Sequence, residues 1–213
     1  HAVNLGCAGT LMLPPFYYKG VSDEGLFRNY SEIIQRVGDS RLRIYLYHIP
    51  PVAQVPISMG LIERLLKEYP GTIAGVKDSS GDWGNTQQML EQFQPEGFDV
   101  FAGSETFLLQ VLRAGGAGCI SATANVNPGP IATLYKTWQQ ADADAQQAAL
   151  DAVRAIFQDY VMIPALKAAV AHYSSTPGWI TLRPPLVELN ESQRADLVSK
   201  LDAAGFTMPG LAA

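Results

Sequence analysis

The chain has 213 residues and a formal net charge of -5 at neutral pH, with 47% hydrophobic residues. That is long enough for one large domain with a sizeable core, or two small ones. No Lys/Arg run is interleaved with aromatics, so nucleic acid is excluded as an expected partner. No stretch approaches the ~18 to 20 apolar residues that span a bilayer, so no membrane role is expected and a cytoplasmic location is the default reading.

The chain opens on His1-Ala2-Val3-Asn4-Leu5-Gly6, without an initiator Met, and reads as the last turn of a helix ending at a glycine C-cap. An N-terminal piece is therefore expected to lie outside this sequence. Strand and helix patterns then alternate. Residues 9–13 form a first apolar strand, followed by a Pro-Pro-aromatic loop and a helix with Leu26, Tyr30, Ile33, Ile34 and Val37 on one face and Ser22 as N-cap. Residues 43–47 lead through His48-Ile49-Pro50-Pro51 to a helix capped by Ser58. Residues 73–77 precede a helix over about 84–93, residues 99–102 precede one carrying Phe107, Leu108, Val111 and Leu112, and residues 118–122 precede one carrying Ile131, Leu134, Tyr135 and Trp138. Residues 142–172 are Ala-rich and helical, with Pro164 as a break, and Asn190 begins a further amphipathic helix. Cys7 and Cys119 lie in strand-like segments, with neither CxxC spacing nor paired histidines, and are expected to be buried free thiols.

Short, nearly continuous apolar strands alternating with helices predict an α/β fold with a parallel sheet. No Gly-rich phosphate loop follows the first strand, which argues against a doubly wound nucleotide fold. The alternative is a (β/α)8 barrel, or TIM barrel, with its N-terminal units outside this sequence and a C-terminal helical extension. The division expected is 1–140 for the barrel portion and 141–213 for the extension. In such a barrel, functional side chains gather at the carboxyl ends of strands, here Tyr17, Tyr47, Lys77, Glu105 and Ser121.

Lys77 is the most informative of the six lysines, because it closes the apolar run Ile73-Ala74-Gly75-Val76. Burial disfavours an ammonium, and a neutral amine is a nucleophile suited to a Schiff base with a carbonyl substrate. The plainer reading is a strand-end lysine that snorkels to solvent or pairs with an acid. Tyr47 closes the preceding strand and could shuttle the protons that imine chemistry requires, or could simply be an aromatic at the sheet end.

Residues 44–50 (Ile-Tyr-Leu-Tyr-His-Ile-Pro), 75–81 (Gly-Val-Lys-Asp-Ser-Ser-Gly) and 118–126 together resemble the dihydrodipicolinate synthase and N-acetylneuraminate lyase family. Pro15-Phe16-Tyr17-Tyr18, Ala102-Gly103-Ser104-Glu105, Ile163-Pro164-Ala165-Leu166-Lys167 and Leu182-Arg183-Pro184-Pro185 extend the match in order along nearly the whole chain. The resemblance implies a (β/α)8 barrel that acts as a lyase on pyruvate or a related 2-oxo acid together with an aldehyde. It implies a lysine Schiff base, no cofactor and no metal, and a homo-oligomer, commonly a tetramer built as a dimer of dimers. Lys77 matches the imine-forming lysine and Tyr47 the catalytic tyrosine. Tyr17 matches, to within one position, the tyrosine that some members lend across the dimer; it could also be an interface aromatic. Gly103 and Glu105 match positions lining the outer substrate pocket, and Ile120 the residue whose carbonyl faces the pyruvyl site. Glu105 could equally be a first-turn acid favoured by its helix dipole. His48 stands where Asn is common and is read as structural, because it alternates away from Tyr47.

Two departures stand out. The Gly/Ser/Thr-rich turn and hydroxyl pair that complete the family's site would precede His1. Val52 occupies the place where dihydrodipicolinate synthases carry an arginine for the carboxylate of aspartate semialdehyde, so that aldehyde is not the expected acceptor. The alternatives are a genuine 4-hydroxy-tetrahydrodipicolinate synthase, a 2-oxo-3-deoxy sugar acid dehydratase, and a binding paralogue without turnover.

Overall fold

The computed structural model describes residues 1–210. The chain forms two compact units, His1–Ile120 and a second that begins at Ser121.

The first unit is a five-stranded sheet in the order β1-β2-β3-β4-β5, every neighbouring pair parallel. The strands are β1 (Thr10–Met12), β2 (Ile44–His48), β3 (Ile73–Asp78), β4 (Asp99–Ala102) and β5 (Gly118–Cys119). Between them run α1 (Asp23–Val37), α2 (Pro50–Ala53), α3 (Met59–Glu68), α4 (Trp83–Phe93) and α5 (Leu108–Arg113). Strict sequential order without a switch of direction is what a barrel wall requires and a doubly wound sheet lacks.

Local chemistry sets these boundaries. The Ser22 side chain accepts from Gly25 N–H at the start of α1, and Gly38, at φ 58°, closes it with its N–H on Ile34 O. Ser58 caps α3 by accepting from Leu61 N–H, and Asp82 caps α4 by accepting from Gly84 N–H. At the chain start, Cys7 N–H reaches Ala2 O while Gly6 N–H reaches Val3 O, with Gly6 at φ 77°. That double closure is the glycine-capped helix end expected from the sequence. Cys7 itself is exposed, contrary to the expectation of a buried thiol, because it follows the cap before β1 begins; Cys119 is half-buried.

The sheet has two faces of different character. Ile44, Leu46, Val76, Val100 and Ala102 are fully buried beneath the helices and pack with Leu26, Tyr30, Leu61, Ile62, Leu65, Met89 and Val111. Burial of each large side chain contributes about 1.5–3 kcal/mol relative to exposure. The opposite face carries Leu11, Tyr45, Tyr47, Lys77 and Phe101, with Leu11 and Tyr45 paired in register, then Tyr47 with Lys77, and Lys77 with Phe101.

The second unit is helical, with α6 (Pro128–Thr137), α7 (Ala143–Gln158), α8 (Met162–Tyr173) and α9 (Glu191–Ala203). Its core gathers Val126, Phe157, Ala165, Ala169, Leu197, Leu201 and Phe206. Pro164 sits in the first turn of α8, where an N–H would have no helical acceptor, so the helical run breaks just ahead of it. Asn190 and Gln193 form a reciprocal capping box at the start of α9. Among the described residues, no helix is long and apolar enough to cross a membrane.

Candidate active site

The carboxyl ends of β2 and β3 bring Tyr47 and Lys77 together. The two residues are direct partners in the parallel register, and Lys77 Nζ donates to Tyr47 Oη at 3.0 Å. Lys77 Nζ also lies 4.3 Å from the centre of the phenol ring. Lys77 is 8% exposed and Tyr47 half-buried, so the pair is shielded without being sealed.

The strand ends around this pair are laced one residue beyond the sheet. Ser79 N–H donates to His48 O and Gly103 N–H to Asp78 O, both at 2.7 Å, while Ile120 N–H donates to Ala102 O at 2.9 Å. Gly103 is pressed so tightly against the Ser79 turn that a Cβ there would lie 2.7 Å from Ser79 Cα. Only a residue without a side chain allows that approach. Ile120 is 37% exposed at the end of β5.

Glu105 is buried, at 1% exposure, and opens the 3-10 turn Glu105–Phe107, which is capped by Ser104. Glu105 is the acidic residue of that element's first turn. Its carboxylate also acts on Cys119. Burial, then the Glu105 charge, push that thiol up to about 12, with Lys77 opposing. Cys119 is therefore a thiol rather than a thiolate at neutral pH.

Tyr17 lies elsewhere. It is 83% exposed in the loop after β1 and packs edge-to-face on Tyr18, with ring centroids 5.3 Å apart. Lys19 straps that loop to the end of α2, donating to Phe16 O and, at 2.8 Å, to Ala53 O. Val52, on α2, is 73% exposed. Ser121 belongs to the second unit, where its hydroxyl lies 3.1 Å from Thr123 Oγ1 and accepts from Arg154 at 3.2 Å.

Two groups of residues around the pair escaped the sequence reading. The first is Asp78, which the sequence places simply in a turn. Its carboxylate is buried on the helix face and accepts from Ser80 N–H (2.9 Å), Asn85 Nδ2 (2.9 Å) and Thr86 Oγ1 (2.7 Å). His48 lies beside it, Nε2 4.0 Å from Asp78 Oδ1, while Nδ1 accepts from Ile57 N–H at 3.0 Å. That bond places the proton of the neutral imidazole on Nε2. Burial depresses the affinity of His48 for a second proton, with Asp78 pulling the other way. His48 thus lies on the face of β2 away from Tyr47, as the alternation along the strand implies.

The second group is Tyr45, whose ring lies between Gly9 and Gly75, so close that a Cβ on either would stand 2.7 Å from ring carbons. Its hydroxyl donates to Asp99 Oδ2 at 3.0 Å, and its ring meets Phe101 edge-to-face at 5.9 Å. The two strand glycines flanking an aromatic were the signal available in the sequence. A cavity of about 1080 Å³ opens at the amino ends of the strands, lined by Arg43, Tyr45 and Asp99 among others; Lys77 and Tyr47 are not part of its wall. This hollow and the Tyr47–Lys77 pair therefore sit at different ends of the sheet. Among the described residues, no cluster of three or more His, Cys, Asp or Glu is arranged to hold a metal ion.

The sequence pattern of the dihydrodipicolinate synthetase family matches residues 1–204. An uncharacterized DapA-like lyase of Chloroflexus aurantiacus is 34% identical over 197 residues, which cover 92% of this chain and 64% of that protein. A 4-hydroxy-tetrahydrodipicolinate synthase of Methanopyrus kandleri is 32% identical over 216 residues, covering 99% of this chain and 68% of that one. The crystal structure of dihydrodipicolinate synthase from Agrobacterium tumefaciens aligns at a TM-score of 0.84 and 31% identity, over 95% of this chain and 68% of its own. The chain therefore spans about two thirds of the length of the proteins it matches.

Proposed function

The chain belongs to the dihydrodipicolinate synthetase family, and from that premise we propose that it is a lyase of the class I aldolase type whose Lys77 forms an imine with pyruvate or a related 2-oxo acid. Its α/β architecture is that of the family's (β/α)8 barrels. The observation that carries the reading is the 3.0 Å hydrogen bond from Lys77 Nζ to Tyr47 Oη, made at the carboxyl end of the sheet, the end where barrel enzymes place their chemistry.

In this reading the neutral Lys77 amine adds to the keto carbon, and the keto oxygen takes a proton to give a carbinolamine. Loss of water leaves the imine. The protonated imine then draws electrons from the adjacent carbon, which loses a proton to become an enamine. That carbon adds to the carbonyl of an aldehyde, whose oxygen takes up a proton. Water then hydrolyses the new imine and returns the amine; the same steps reversed cleave the bond. Tyr47 carries the protons, being within reach of the nitrogen at which they are exchanged. Gly103 and Glu105 shape the acceptor end, Ile120 offers its carbonyl to the pyruvyl group, and Tyr17, exposed on its loop, serves a neighbouring copy in a homo-oligomer. No metal or cofactor takes part.

The acceptor is an aldehyde other than aspartate semialdehyde, because the isopropyl group of Val52 cannot form the bidentate contact a guanidinium would. The name of the Methanopyrus kandleri relative favours a second reading, 4-hydroxy-tetrahydrodipicolinate synthase with its carboxylate anchor elsewhere. A panel of aldehydes separates the two. The first experiment is borohydride reduction of the protein in the presence of pyruvate, with mass spectrometry of the Lys77 peptide. A pyruvyl adduct on Lys77 is expected; folded protein that gives no adduct with any 2-oxo acid would identify a barrel that binds without turnover.

A further inference from the structure

We infer that Asp78 is a positioning residue for the Lys77 amine, acting from the opposite face of β3 through a buried clasp onto the start of α4. The inference rests on the imine reading of Lys77. Successive residues of a strand point to opposite faces, so whatever fixes one side chain fixes the direction of the next. Asp78 is held from three sides. Its main-chain oxygen accepts from Gly103 N–H at 2.7 Å, joining it to the end of β4. One carboxylate oxygen accepts from Ser80 N–H at 2.9 Å, which shapes the turn that ends the strand. The other accepts from Asn85 at 2.9 Å and Thr86 at 2.7 Å, on the first turns of α4.

With Asp78 3% exposed and Thr86 2% exposed, water has little access to these bonds. The clasp therefore sets the plane of the peptide that follows Lys77 and the place from which its side chain departs. The 3.0 Å approach of Nζ to Tyr47 depends on that departure point. A small shift of a reacting group costs rate out of proportion to its size, and the clasp lies on the face of β3 away from Tyr47.

Asp78→Asn replaces one of the two acceptor oxygens by an amide NH2 at constant shape, so that either Ser80 N–H or the Asn85 and Thr86 donors lose their acceptor. Thr86→Val removes one bond and leaves the carboxylate. The readouts are the maximal rate of borohydride-trapped imine on Lys77, the pyruvate concentration at half-maximal rate, and carbamylation of Lys77 by cyanate, which needs no 2-oxo acid. In folded Asp78→Asn the maximal rate is expected to fall about 10-fold or more while the half-saturating concentration moves less than about 2-fold. Carbamylation is expected to quicken as the amine leaves the phenol. Thr86→Val should show a smaller change in the same directions and add nothing to Asp78→Asn in the double variant.

An unchanged trapping rate in folded Asp78→Asn, or additive effects in the double variant, would overturn the inference. If Asp78→Asn does not fold, Thr86→Val decides alone by the same criteria. If the unsubstituted protein forms no adduct, the imine reading falls, and the carbamylation rates settle the positioning role by themselves. Faster labelling of Lys77 in the variants sustains it; equal labelling removes it.

Discussion

Strands β2 and β3 carry two polar pairs in adjacent registers, Tyr47 with Lys77 on one face and His48 with Asp78 on the other. Lys77, His48 and Asp78 are all less than a tenth exposed, so burial alone does not set Lys77 apart from the other pair. Their partners do. The carboxylate of Asp78 takes three hydrogen bonds from the turn and helix behind it, and His48 Nδ1 is engaged by Ile57 N–H. The lysine instead meets a phenol that is itself half-buried. A polar pair stapled to its surroundings holds shape, while one that faces an open side can exchange protons with something else. The contrast teaches that a buried titratable group is best interpreted through what it touches.

The contrast can be broken most severely at Lys77. Lys77→Ala should eliminate turnover and the borohydride adduct while thermal unfolding stays cooperative; ordinary activity in that variant would dismiss the imine. Tyr47→Phe should slow turnover by about 100-fold or more if the phenol carries protons, and an unaltered rate would reassign the ring to packing. Gly75→Ala works one layer below the pair, where a Cβ would stand 2.4 Å from Asp99 O and 2.7 Å from the Tyr45 ring. Overpacking of this kind costs about 1–3 kcal/mol, to be read from urea midpoints.

A gentler test concerns the other face. Burial holds the His48 imidazole below its ordinary 6.5. The unfolded chain therefore binds that proton more readily than the folded one, and stability present above about 6.5 is lost as the pH falls through the depressed folded value. His48→Asn should flatten that part of the pH dependence of unfolding; an identical slope would mean that other groups set it. The smallest expected effect is none, since prolonged treatment with a chelator should leave activity unaltered. A loss restored by a divalent metal would reopen the mechanism.

Much of the fold could be seen in the sequence because it is written locally. Ser22, Ser58 and Asn190 cap the helices they announce, and the apolar runs ending at Tyr47, Lys77 and Ala102 lie within one residue of the observed strand ends. Lys77 and Tyr47 were visible for the same reason, each closing an apolar run. What stayed hidden depends on pairs distant in the chain or on geometry that periodicity does not carry. The partners of Asp78 lie seven and eight residues on, across a turn, and nothing in their spacing distinguishes a clasp from an ordinary polar helix start. The one-turn α2 was hidden behind Pro50 and Pro51, which suggest a loop as readily as a helix beginning. β5 stops at Cys119 rather than running to residue 122, because Ala122 already adopts helical angles ahead of the turn Thr123–Asn125.

The sequential order of the strands has a kinetic meaning as well. Tyr47 and Lys77 stand 30 residues apart, joined by a single helix-bearing connection. Closing a loop of that size is among the cheaper contacts a parallel sheet can make, since closure entropy grows only with the logarithm of loop length. The two side chains proposed to carry the chemistry are thus brought into register by one nearest-neighbour step of the chain, early in the order of assembly that low contact separation favours.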